Sequence, residues 1–149
     1  MLTQYLKPLF QRDLMNLKKE ISAYSNEEII WKIEGNISNS AGNLCLHLVG
    51  NLNHFIGAVL GETGYIRKRE EEFSLKGLPV SSLVEEVENT LRVVNNVLDN
   101  LTAAQVEEEY PIVLFMDKMT TGLFLVHLYG HLNYHLGQIN YHRRLLDVD

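Results

Sequence analysis

Six histidines fall in two stretches of the chain: His47 and His54 in one, and His127, His131, His135 and His142 in the other. On a helix, the seven-residue separation of His47 and His54 places both on nearly one face. His127, His131 and His135 step by four along a single stripe, which His142 continues. Two histidines at i and i+4 can hold one divalent cation from successive turns. Metal–nitrogen bonds of about 2.0–2.1 Å need imidazoles that converge from more than one direction, so a facing helix must supply a third. Three protein ligands leave a position open for water or substrate, the layout of a catalytic ion rather than a structural one. The plainer alternative is a set of hydrogen-bonded core histidines. A lone HxxxH argues for the plainer alternative, and two histidine-bearing helices bring the two readings about level.

HLVGNLN at 47–53 is nearly repeated as HLYGHLN at 127–133, and Gly50 and Gly57 lie seven apart, as do Gly130 and Gly137. Read functionally, this is pseudo-symmetry whose glycines let two helix backbones approach closely around a site. Read plainly, it is coincidence among helices rich in Leu, Gly and His. In the symmetric reading His127 matches His47, so the residues alone leave open which two of His127, His131 and His135 coordinate. His54 could be a pocket residue or proton shuttle, although a structural or surface role is the simpler assignment. Gln138, three residues from His135, could sit behind the ligands. Asn43, Asn51, Asn53 and Asn133 could meet the histidines' second nitrogens or face solvent.

Other chemistries find little support. His131-Leu-Asn-Tyr-His135 lacks the glutamate of HExxH, which argues against a zincin-type protease. Cys45 lies about 200° around a helix from His47 and points away from it. No GxSxG and no cysteine with a paired base is present. The glycines at 57, 61 and 64 follow a helix and carry no P-loop lysine. Arg67-Lys-Arg69 runs straight into Glu70-Glu-Glu72, which reads as a solvated mixed-charge segment. His142-Arg143-Arg144 suits a helix C-terminus, or could receive an anionic substrate tail.

These residues need helices to position them. Residues 2–24 repeat apolar side chains at helical spacing (Leu6, Leu9, Phe10, Leu14, Leu17, Ile21), with Pro8 early enough for the first turn to tolerate it. SNEE at 25–28 is a capping-box signature for a short helix that includes Trp31. A second long helix is expected over 41–60, closed by Gly61. Residues 61–79 read as a long connection. SLVE at 82–85 caps a third helix running to about 101, and TAAQ at 102–105 opens a brief turn. Residues 110–116 are apolar and β-prone, a short strand or a packed extended loop. Thr120 or Thr121 caps a fourth helix to about 146. Four long helices with one long crossover make an all-α four-helix bundle.

The composition agrees with one domain over 1–149: 46% of the 149 residues are hydrophobic and 21% charged, enough to bury a core. A net charge of −6 argues against a phosphate-driven nucleic-acid binder. One cysteine excludes a disulfide framework or a cysteine-rich zinc module. No run approaches the roughly 18 apolar residues of a membrane span, and the N-terminus mixes charges among its apolar residues, unlike a signal peptide. A cytoplasmic protein without membrane or nucleic-acid partners is expected.

His131-Leu-Asn-Tyr-His135-Leu-Gly137-Gln138-Ile139 resembles the HxxxHxGQI signature of the DinB/YfiT-like superfamily of four-helix metalloproteins. Residues 42–73 together with 133–146 are similar to an uncharacterised branch of it, a domain of unknown function. The resemblance implies one metal ligand from the second helix and two from the fourth, places that fall here on His47, His131 and His135. It also implies frequent homodimerisation. Characterised members include thiol transferases that use bacillithiol or mycothiol and a mycothiol-dependent isomerase. Tyr134 stands where many members carry a further histidine and Leu136 where many carry arginine, so an anionic substrate carries over less securely than the fold.

The expectation is a metal-dependent enzyme holding a divalent ion, zinc or nickel first and iron as the alternative, because imidazoles do not decide among them. Coordination lowers the pKa of a water or low-molecular-weight thiol, and attack on a small electrophilic substrate then gives S-transfer or hydrolysis. The alternative is a non-catalytic dimeric helical protein with structural or adventitious metal binding.

Overall fold

The computed structural model describes residues 1–114 and 118–148, and the described part is all-helical. The apolar periodicity of the N-terminal segment becomes α1, Leu2–Ser22, which buries Leu6, Phe10, Leu14, Leu17 and Ile21. Pro8 lies beyond its first turn, so the ladder forgoes one amide donor there. Asn26, not Ser25, caps the short 3-10 helix Glu27–Trp31, and its side chain accepts from the Glu28 amide at 2.9 Å. Ser25 is engaged elsewhere: its hydroxyl donates to Asp147 at 2.8 Å.

Helix α2, Ala41–Leu52, starts on Ser40, whose hydroxyl accepts from the Asn43 amide at 3.2 Å. It runs through a π-helical turn, Asn53–Ala58, into α3, Val59–Gly61. The Asn53 side chain marks the change of pitch. Its amide donates to the Val49 carbonyl and to Thr90 Oγ1, both at 2.8 Å, drawing an acceptor out of the helical ladder.

Gly61 does not close this helix in the left-handed conformation expected of it; Glu62 does, at φ 51°. Gly61 is glycine because a Cβ there would collide with Val97. A left-handed conformation strains a non-glycine residue by roughly 1–2 kcal/mol. Glu62→Gly is therefore expected to raise stability by about 0.5–1 kcal/mol, and thermal unfolding checks the sign. A lowered midpoint would contradict this account of the cap.

The crossover carries α4, Arg69–Ser74, and leads to α5, Val80–Asn100. Pro79 occupies the cap position of α5, one turn before the expected Ser82, and supplies no side-chain bond. The expected capping box does form between Thr102 and Gln105 in α6, Ala103–Glu107. Thr120 caps α7, Thr121–Leu146, accepting from the Leu123 amide at 3.1 Å.

Among the described residues no strand forms. The β-prone segment contributes a single antiparallel bridge, Glu109 to Thr120, and buries Tyr110 against Phe124 at 4.3 Å between ring centroids. The part of that expected segment at 115–116 lies outside the described residues.

Helix α1 packs along α5 and α7, while α2 packs against α4, α5 and α7. Phe55 meets Phe124 at 5.3 Å, and His47 meets His131 at 5.0 Å, so the 41–61 helix and α7 run antiparallel with the histidine faces turned inward. By length and composition alone, Ala41–Gly61 is apolar enough to cross a membrane, which corrects the expectation that no segment would be. Here it is a core helix, more than half buried by its neighbours.

Candidate metal centre

His47 comes from the middle of α2 and is buried, and His131 and His135 come from successive turns of α7. Their ring centroids lie 5.0 Å apart for His47 and His131, 5.2 Å for His47 and His135, and 4.6 Å for the α7 pair. All three pairs meet edge to face, at 76°, 88° and 87°. One ligand nitrogen from each ring lies within 4.8 Å of the other two, so the group could hold a metal ion. His47 Nε2 and His131 Nε2 are 3.1 Å apart. Two nitrogens bonded at about 2.0–2.1 Å to one tetrahedral ion would be about 3.3 Å apart, so this separation fits a shared cation.

The outer nitrogens determine which lone pairs face inward. A carboxylate or amide oxygen can only accept, so the nitrogen that meets it must carry the proton. His47 Nδ1 donates to Glu72 Oε1 at 3.0 Å, and His135 Nδ1 donates to Gln138 Oε1 at 2.7 Å. Both rings therefore present an unprotonated Nε2 to the shared point. His131 Nδ1 is buried and has no hydrogen-bond partner among the described residues.

Burial pushes the His131 imidazolium down to about 4, with His135 and His47 adding like-charge repulsion. Burial also lowers His135, partly offset by the bond to Gln138. Neutral imidazole is the form that ligates metals.

These shifts have a consequence for the metal-stripped protein. As pH falls through the ordinary histidine value near 6.5, the unfolded chain takes up protons that folded His131 refuses until about 4. The unfolded state then holds more protons, so stability falls on acidification across that window. His135, His54 and His142 shift the same way and add to the slope. Urea unfolding at several pH values with a chelator present is expected to show this loss, and His131→Leu should flatten it. An equal slope in that variant would refute the assignment to His131.

The remaining sequence candidates lie elsewhere. His127 is exposed and stacks parallel to Phe124 at 5.8 Å, and it does not join the cluster. His54 lies against Phe55 at 4.7 Å, also outside it. His142 is buried and uses both nitrogens, donating from Nε2 to the Lys32 carbonyl at 2.8 Å and accepting at Nδ1 from the Tyr24 hydroxyl at 2.7 Å. It ties the end of α7 to the core rather than receiving an anion, and Arg143 is bonded to Glu20 at 2.8 Å. Burial pushes the Cys45 thiol up to about 12, so this cysteine is inert.

Of the asparagines, Asn43 donates to the Glu72 and Leu75 carbonyls, both at 2.9 Å, and Asn133 donates to the Tyr129 carbonyl. Asn51 Oδ1 is buried without a partner among the described residues. The outer nitrogens of His47 and His135 are served instead by Glu72 and Gln138.

The solvated charge run expected over 67–72 is corrected for Glu72 and Arg67. Both side chains are about nine-tenths buried, Glu72 at 6% and Arg67 at 11% exposure. Burial raises the Glu72 carboxyl, but hydrogen bonds from Arg67 and His47 outweigh it and hold the pKa below the usual range. The one sequence signal that could have singled out Glu72 is Gly50, whose missing side chain makes room for its carboxylate. Among the described residues nothing lies within 4 Å of a Cβ at Gly130 or Gly137, so these two do not bring helices together as the pseudo-symmetric reading expects.

A cavity of about 500 Å³ opens beside His135 and Gln138, walled by Asn36, Ile37, Leu44, Tyr134 and Tyr141. It offers room for a small molecule next to one edge of the histidine cluster. No curated protein matches the sequence. Residues 2–149 match a family described as a protein of unknown function (DUF1572), and the chain belongs to that family.

Proposed function

We propose that the protein is a metal-dependent enzyme built on a DinB-like four-helix bundle, with His47, His131 and His135 holding one divalent ion, zinc or nickel before iron. The observation that carries this is the convergence of three imidazoles whose Nε2 atoms of His47 and His131 lie 3.1 Å apart, while Glu72 and Gln138 hold the outer protons of His47 and His135. A bound divalent ion supplies Lewis acidity, which at neutral pH favours the deprotonated form of a water or thiol. The chain's own residues contribute the rest. Burial disfavours the charged forms of His131 and His135, and Glu72 and Gln138 orient His47 and His135. The cavity beside His135 admits a small electrophile between Leu44, Tyr134 and Tyr141. The reaction class proposed is S-transfer from a low-molecular-weight thiol, or hydrolysis, in a cytoplasmic homodimer.

Metal analysis of untagged protein, followed by a screen of common bacterial thiols against an electrophile panel, tests this reading. About one ion per chain and metal-dependent thiol consumption or hydrolysis would support it. No ion retained after supplementation with zinc, nickel or iron would end it.

A second reading, a non-catalytic dimeric helical protein, is favoured by one observation. Helix α7 leaves Leu123, Val126, Tyr134, Tyr141 and Leu145 uncovered, an apolar face of the kind a second copy could occupy. One tightly held ion per chain without turnover of any substrate would favour this second reading.

A further inference from the structure

The crossover helix α4 lays Phe73 against the His47 ring at 5.0 Å between centroids and pushes Glu72 into a notch over Gly50. A Cβ at residue 50 would collide with the Glu72 carboxylate. That carboxylate is committed on both oxygens. Oε1 accepts from His47 Nδ1 at 3.0 Å and Arg67 Nη2 at 2.9 Å, and Oε2 accepts from Arg67 Nε at 2.8 Å. It meets His47 at the nitrogen opposite the one near His131, so it stands behind the ring rather than among the ligands.

We infer that Glu72, clamped by Arg67, is the positioning residue of the metal centre, fixing His47 as the Nδ1–H form with Nε2 turned toward His131 and His135. This rests on the metal reading proposed above. A neutral imidazole has one proton and one lone pair; at Nδ1 the acceptor-only Glu72 carboxylate, at 3.0 Å, stands closer than the donor Arg67 Nη2, at 3.4 Å, which favours the proton on Nδ1 and the lone pair on Nε2. A carboxylate in that place also makes the ligating nitrogen more basic. Arg67 grips both oxygens in a fork and balances a charge that would otherwise be buried alone. Asn43 holds the backbone of α4 in register through the Glu72 and Leu75 carbonyls. Only one half of the near repeat carries such a notch. Gly130, which matches Gly50, has nothing within 4 Å of a Cβ among the described residues.

The test titrates metal-free, full-length protein with Zn(II) against a chromophoric chelator, in wild type, Glu72→Ala, Glu72→Gln and Arg67→Met. Wild type should bind about one ion per chain. Glu72→Ala should keep that stoichiometry with affinity reduced about 10–100-fold. Glu72→Gln retains an acceptor oxygen for Nδ1–H and should lose less. Side-chain ¹⁵N NMR of the metal-free protein should show His47 as a single Nδ1–H tautomer in wild type and as a mixture in Glu72→Ala. Arg67→Met removes the fork on the carboxylate together with the 3.4 Å approach of Nη2 to His47 Nδ1, and should weaken binding even if Glu72→Ala does not fold. Wild-type affinity in Glu72→Ala and Arg67→Met, with the His47 tautomer unchanged, would overturn the inference and leave Glu72 as a strut for α4. Failure of wild type itself to bind Zn(II) would overturn the metal reading, and the inference with it, and is recognised because no variant comparison is then needed.

Discussion

Alanine at position 131 is expected to reduce Zn(II) affinity by several hundredfold and to empty the site at micromolar metal. A four-ligand zinc site releases about 10–16 kcal/mol, so one ligand contributes about 2.5–4 kcal/mol, and each 1.4 kcal/mol is tenfold. His131 should show at least this effect because its Nε2 is the one that faces His47 Nε2 at 3.1 Å. His135→Ala should behave alike. Three other histidines serve as controls. His54 and His127 lie outside the cluster, so their alanine variants should bind as wild type does. His142→Ala removes the bonds to Tyr24 and Lys32 and should lower the unfolding temperature while leaving metal stoichiometry intact. Equal affinity in His131→Ala and His127→Ala, measured by competition titration, would show that the ion sits elsewhere.

The controls also mark where the sequence stopped being informative. Spacing put His47 on one helix face and the stepped histidines on another, because helix periodicity is local and needs only the order of residues. It could not decide among His127, His131 and His135, since all three share one stripe. The choice is made in three dimensions by the antiparallel crossing of the 41–61 helix and α7, which sets His47 against His131 and carries His127 on to Phe124.

The glycines show the same limit. Gly50, Gly57, Gly130 and Gly137 look equivalent as letters, yet Gly50 admits a carboxylate and a Cβ at residue 57 would lie 3.0 Å from Val93, while a Cβ at either glycine of α7 would meet nothing within 4 Å among the described residues. Glu72 was illegible because three consecutive glutamates carry no mark of which one turns inward. Its environment comes from α2 and from Arg67, neither of which its neighbours in sequence reveal. Pro79 taking the cap of α5 ahead of Ser82 is a smaller case. Proline's fixed backbone angle starts the helix without a side-chain bond.

The largest stability effect is expected from Phe10→Ala. Phe10 is fully buried on α1 and meets Tyr129 of α7 edge to face at 5.4 Å, 73° between planes. Tyr129 is anchored in turn. Its hydroxyl donates to Asp13 at 2.6 Å and accepts from Arg12 at 2.9 Å, so the α1–α7 contact combines an aromatic pair with a polar clasp beside it. Truncation removes the ring and leaves a cavity that rigid helices cannot fill, at about 3–5 kcal/mol. Against a total stability of about 5–15 kcal/mol, that is a large share, and a chain of this length should melt about 6–20 °C lower. The three clustered histidines lie on the α2–α7 seam, supported from the other side by α4. Well below its melting point Phe10→Ala should therefore still bind Zn(II) as wild type does. Circular-dichroism melts paired with zinc titration separate the two properties. A drop in affinity matching the His131→Ala loss would mean that α1 packing sets the ligand geometry, and the division of labour between a stabilising α1 face and a binding α2–α7 face would have to be abandoned.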